Sequence, residues 1–116
     1  MTTDEKIKVI VNALSSKKAE DIQIIRISDI TVLSDYFIIA NGTSSTHTKT
    51  LADEVEFQMS QNAEEPYGKE GNGSNWIVLD YSDVVVHIFY KETRDYYQLE
   101  RMWADGKKID AKQFLE

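Results

Sequence analysis

His47 and His87 are the chain's only imidazoles and cysteine is absent, so thiolate nucleophiles and thiolate metal sites are excluded. A metal held by the two histidines would need carboxylates at a spacing such as HExxH, and no such spacing occurs. Neither a metal nor a cofactor is therefore expected. His87 interrupts the β-branched and aromatic run of residues 84–90, where a packed, hydrogen-bonded strand histidine is a plainer reading than a ligand or base. Asp80 and Asp83 flank a turn, a position where aspartate ordinarily bonds to nearby backbone, and their proximity alone does not tune one for acid–base work. Asn41-Gly42-Thr43-Ser44-Ser45 precedes a helical stretch and could present backbone N–H groups to an anion. Neither GxxxxGK[ST] nor GxGxxG is present, which favours Ser44 or Ser45 as a helix cap with Gly42 easing the turn. The nucleophile elbow GxSxG is missing too.

Binding is better served. Trp76, Tyr81, Tyr96, Tyr97 and Trp103 lie within twenty-eight residues, interleaved with Asp80, Asp83, Asp95 and Glu100. Trp and Tyr dominate interface energetics because they bury large areas while keeping a polar tip. The competing reading is that such rings fill the core of a small domain. Tyr96 and Leu99 are expected to do so, whereas Trp76, Tyr97 and Trp103 divide evenly between core and interface.

These residues need elements to position them. Trp76, Val78 and Asp80 alternate with Ile77, Leu79 and Tyr81, so a strand puts an indole and a carboxylate on one face. Residues 84–90 read as a central strand, and a hairpin over 76–90 turns at 80–83. A helix over about 93–103 would place Tyr96, Leu99 and Trp103 on one side. Earlier in the chain, Ile7, Ile10, Val11 and Leu14 mark a helix over 4–15 capped by Thr2 or Thr3. Strands follow at 22–28 and 36–40, then a helix carrying Leu51, Val55 and Met59. Residues 63–75, with the single proline and three of the five glycines, read as a loop.

At 116 residues the chain fits one domain with a core of its own. A net charge of −7 argues against gripping a nucleic-acid backbone, which needs clustered Lys and Arg. It fits a basic protein partner, or simply a soluble acidic surface. No apolar run approaches the ~20 residues that span a bilayer and the N-terminus lacks a signal-peptide core, so a cytoplasmic location is expected.

NGTSSTHTKTLADEV, YGKEG, SNWIVLDYSDVVVHIF and ETRDYYQLERMW, preceded by DIQIIRISDITVLSDYFIIA, resemble the ribosomal silencing factor family, also called RsfS or Iojap, over about residues 5–104. The resemblance implies a single α/β domain at residues 1–104, with a mixed five-stranded sheet flanked by helices. That fold would be related to nucleotidyltransferases but lack their paired acidic motif; residues 105–116 fall outside the resemblance and read from their own composition as a frayed or surface-lying tail. The implied function is translational repression without catalysis. The domain would bind the large ribosomal subunit through its basic ribosomal protein fourteen and sterically block the small subunit when nutrients run short. A role in large-subunit assembly is the alternative, as is, more remotely, a nucleotidyltransferase using NGTSS for phosphate and Asp80 or Asp83 for Mg²⁺. Carried over to these positions, the partner-binding residues would be Trp76, Asp80, Asp83, Tyr97, Glu100 and Trp103, on a protein that is a homodimer when free and has no direct nucleic-acid or membrane requirement.

Overall fold

The computed structural model describes residues 1–71 and 75–116; residues 72–74 of the expected glycine-rich loop, including Ser74 of the SNWIVLD block, lie outside the described residues. The first helix, α1, spans Thr3–Ser16. Its N-terminus closes on itself: Thr2 Oγ1 accepts the Glu5 N–H at 3.2 Å and Glu5 Oε1 accepts the Thr2 N–H at 2.8 Å, a reciprocal pair that satisfies two otherwise orphaned donors. Strands β1 (Glu20–Arg26) and β2 (Tyr36–Gly42) follow, then helix α2 (Ser45–Ser60). Three further strands, β3 (Gly68–Glu70), β4 (Trp76–Asp80) and β5 (Val84–Tyr90), lead into short helices α3 (Lys91–Tyr97) and α4 (Leu99–Met102). A last strand, β6 (Lys107–Ile109), precedes a 3-10 turn at Ala111–Gln113.

The sheet runs in the order β3-β4-β5-β2-β1-β6. Among the described residues only the β2–β5 pair is parallel, with Phe37 opposite Val85 and Ile39 opposite His87; the other four are antiparallel. That central position explains why β5 is apolar along its length apart from His87, since both of its faces are covered. Helices α1 and α2 cover one face. Ile7, Ile10, Leu14, Leu51, Val55 and Met59 pack there on Ile24, Ile38, Ile77, Leu79, Val86 and Ile88. Each fully buried aliphatic side chain contributes roughly 1.5–3 kcal/mol, so this layer dominates the stability. A smaller cluster on the opposite face joins Ile25, Ile27, Phe37, Ile39 and Phe89 to Leu99, with Trp76, Val85 and Trp103 against it.

Three sequence expectations change. Among the described residues the sheet has six strands, not five, and the expected loop at 63–75 contains β3. GKE and KKI carry no apolar alternation, so β3 and β6 exist through pairing with longer neighbours. Residues 105–116 are packed rather than frayed. Lys107–Ile109 pairs with β1, Ile109, Ala111 and Phe114 join the larger core, and Asn12 Nδ2 donates to the Phe114 carbonyl at 2.8 Å. Gly106 makes this return possible, because a Cβ there would lie 2.5 Å from Ile25 Cγ2 and 2.9 Å from the Arg26 carbonyl.

The third change concerns the closing helix, which breaks at Gln98 (φ 49°, ψ 52°), a left-handed residue between α3 and α4. The helical spacing of Tyr96, Leu99 and Trp103 therefore does not hold. Leu99 is buried as expected, but Tyr96 is 81% exposed.

Candidate docking surface

Side-chain alternation on β4 delivers the expected pairing. Ile77 and Leu79 point into the larger core, while Trp76, Val78 and Asp80 remain half-buried on the other face. The Trp76 indole stacks on Phe89 with centroids 4.8 Å apart, leans on Tyr97 at 5.0 Å, and donates its Nε1–H to His87 Nδ1 at 3.2 Å. Beside it lies a groove of about 430 Å³, lined by Asn75, Tyr90, Glu92, Thr93 and the exposed Tyr96 and Tyr97. On the other side Trp103 packs edge-on against Phe37, centroids 5.1 Å apart. The two tryptophans thus lie on the same face of the sheet as Val78 and Val85. Asp80 and Glu70 share this face through the register Glu70↔Val78↔His87 and Asp80↔Val85.

The sequence-derived acids divide. Asp80 stays on this face, its Oδ1 accepting the Ser82 N–H at 2.8 Å in a turn that fixes the hairpin tip. Asp83 turns toward α1, where its Oδ1 accepts from Lys6 Nζ at 2.8 Å and its Oδ2 from Thr3 Oγ1. Burial alone would push the Asp83 carboxyl up, but the Lys6 and Thr3 hydrogen bonds outweigh it and hold it below the usual range. Lys6 is buried too and also donates to the Tyr81 carbonyl at 3.2 Å; burial opposes its charge, yet Asp83 and Glu64 keep it above the ordinary lysine value. Asp83 therefore ties the hairpin to the first helix, 77 positions away from its lysine.

Glu100 is likewise engaged from behind the surface. Its Oε1 accepts from Arg94 Nε at 3.2 Å, and Arg94, only 3% exposed, also donates to the Asp21 carbonyl at 2.7 Å and to Asn41 Oδ1 at 2.9 Å. Six residues apart on an unbroken helix, Arg94 and Glu100 would point away from each other; the left-handed turn at Gln98 brings them together. This cluster pins α3 and α4 to the start of β1 and the end of β2. Sequence reasoning did not single out Arg94, because its partners lie 53 and 73 positions away.

A second feature that sequence reasoning missed is the loop at residues 27–35, where Ile30, Val32 and Leu33 are exposed. It is fastened to the hairpin tip by Ser34 Oγ donating to the Ser82 carbonyl at 3.0 Å and Asp35 N–H donating to the Asp83 carbonyl at 3.1 Å. Three aliphatics among the polar residues of a turn were the available signal.

The NGTSS segment is occupied by its own chain. Ser44 caps α2 by accepting the His47 N–H at 3.0 Å, and His47 Nδ1 accepts the Thr43 N–H at 2.9 Å. A Cβ on Gly42 would meet the Thr48 nitrogen at 2.9 Å, so glycine here serves the close approach of the helix start. No helix is long and apolar enough to cross a membrane among the described residues.

Ionisable side chains that hold helices to a sheet, together with exposed aromatics gathered on one face, define a small α/β domain with one aromatic side. The comparisons agree on which one. All 116 residues match the family described as "RsfS: Ribosomal silencing factor during starvation", and the chain belongs to that family. The match takes in the last twelve residues, which the sequence resemblance had left out. The chain is 35% identical over 105 residues to the ribosomal silencing factor RsfS of Bacillus subtilis, covering 90% of this chain and 89% of that one. It is 31% identical over 102 residues to a mouse protein named "Mitochondrial assembly of ribosomal large subunit protein 1", covering 84% of this chain and 45% of that longer one. A crystal structure of a Chromobacterium violaceum protein superposes with a TM-score of 0.86 at 34% identity, covering 95% and 92% of the two chains. The family is regulatory and not enzymatic.

Proposed function

We propose that this domain represses translation by docking on the large ribosomal subunit, through the basic ribosomal protein fourteen, and sterically blocking the small subunit when nutrients are limiting. The observation that carries this reading is the clustering of Trp76, Tyr97, Trp103 and Asp80 on one face of an acidic domain of the silencing family. Rings supply apolar contact area, and opposite charge on the partner raises the encounter rate and fixes orientation. Asp83 and Glu100 act from behind, presenting the hairpin tip and the broken helix through their ion pairs. No covalent step and no cofactor is required, and the site of action is the cytoplasm, where the subunits are.

A role in large-subunit assembly is the second reading, favoured by the name of the mouse relative. Gradient sedimentation of extracts containing the tagged protein tests the first. The protein should travel with free large subunits and be missing from joined ribosomes, and Trp76→Ala should weaken subunit binding by at least ~2 kcal/mol. Co-migration with joined ribosomes would sink steric exclusion, and parental affinity in a folded Trp76→Ala variant would remove the anchor.

The same aromatic face is proposed to close a homodimer when no ribosome is present. In sedimentation velocity, large subunits should then convert dimer into bound single copies; a dimer that persists on the subunit would contradict a shared surface.

A further inference from the structure

We infer that His87 is the positioning residue for the docking indole of Trp76, holding it through the Nε1–H to Nδ1 hydrogen bond from a ring wedged between Phe37 and Phe89. The inference rests on the docking reading above and deepens it. His87 lies edge-to-face with Phe37 at 4.7 Å and near-parallel to Phe89 at 6.5 Å, flanked on its sheet neighbours by Ile39 and Val78. Nothing in these surroundings calls for a polar ring, and a phenylalanine or valine would suit a buried central strand better.

The imidazole's polarity has one evident use. Nδ1 takes the indole proton at 3.2 Å, so it must present a lone pair and the ring must carry its hydrogen on Nε2. Nε2 is buried and has no hydrogen-bond partner among the described residues. A buried donor left without an acceptor is a cost, and native proteins rarely carry one without a return. The return here is the orientation of Trp76. Stacking on Phe89 and leaning on Tyr97 set the plane of the indole, and the hydrogen bond at the pyrrole nitrogen adds a directional constraint on the side-chain torsions χ1 and χ2. Burial favours the uncharged imidazole, the form that can accept, so the hold persists throughout the neutral range.

The test compares two substitutions in the intact protein. His87→Phe keeps a buried ring and removes the acceptor; His87→Asn places an amide oxygen close to where Nδ1 stood. Two readouts are taken: hydrogen exchange of the Trp76 indole N–H by NMR, assigned with Trp103→Phe, and affinity for purified large ribosomal subunits. His87→Phe should accelerate indole exchange and weaken binding, each by about tenfold or more, and His87→Asn should recover most of both. A folded His87→Phe variant with parental exchange and affinity overturns the inference, and so does equal loss in both variants, which would indicate packing alone. If Trp76→Ala binds normally, the docking reading fails and the positioning role falls with it. If Trp76→Ala loses binding while His87→Phe does not, the docking reading stands and His87 alone is dismissed.

Discussion

Replacing Arg94 with methionine is expected to lower the unfolding free energy by about 3–5 kcal/mol, the cost of breaking a buried charge pair from one side. The guanidinium is held by Glu100, the Asp21 carbonyl and Asn41 Oδ1, with its second terminal nitrogen 3.3 Å from the Asp21 carboxylate. Methionine preserves most of the volume but leaves the Glu100 carboxylate, 26% exposed, and the buried Asn41 oxygen without their cation. Domains of this size are stable by only about 5–15 kcal/mol, so the loss would be a large share of the total. Urea denaturation measures it. Because the same cluster sets the bend at Gln98, partial recovery is expected when Glu100→Gln is added, since the stranded charge disappears. A loss below about 1 kcal/mol would show that the cluster behaves as an exposed ion pair and does not hold α3 and α4 in place.

Acidification from pH 7 to pH 4 should cost the fold on the order of 3 kcal/mol through His87 alone. Burial lowers the His87 pKa from an ordinary 6.5 to about 4, with no charged neighbour contributing. Between those values the unfolded chain takes up a proton that the native chain refuses. The stability is therefore present in full above pH 6.5 and declines by about 1.4 kcal/mol per pH unit as the pH falls toward 4. Asp83, held below its usual value of 3.8, adds a further loss in the same direction at lower pH. Denaturation midpoints across pH 4–7 report the slope, and His87→Phe should flatten it. An unchanged slope in that variant would assign the proton to another group.

Local pattern made much of this protein legible. Period-two alternation from Trp76 to Asp80 and the β-branched run after it identified the hairpin and the face shared by indole and carboxylate, because those depend only on neighbours in sequence. The stripe of Ile7, Ile10, Val11 and Leu14 identified α1 for the same reason. What escaped depended on distant partners. Asp83 resembled a surface acid until Lys6 was found beside it, and Tyr96 resembled a core residue until the backbone reversed hand at Gln98, a residue type that seldom adopts that conformation. Strand β6 was invisible because Lys107 and Lys108 suit a solvated tail, and only pairing with Arg26 and Ile25 makes them a strand.

The sheet ends on both sides in three-residue strands, β3 with Lys69 and Glu70 and β6 with Lys107 and Lys108. Short, charged borders of this kind discourage another chain from zipping on by main-chain ladder. Extended peptides, which would satisfy such a ladder almost regardless of sequence, are turned away at the rims. On the docking reading proposed above, discrimination between one visitor and the next is thereby left to ring shape and charge on the broad side of the molecule, where a handful of point changes can retune it without disturbing the scaffold.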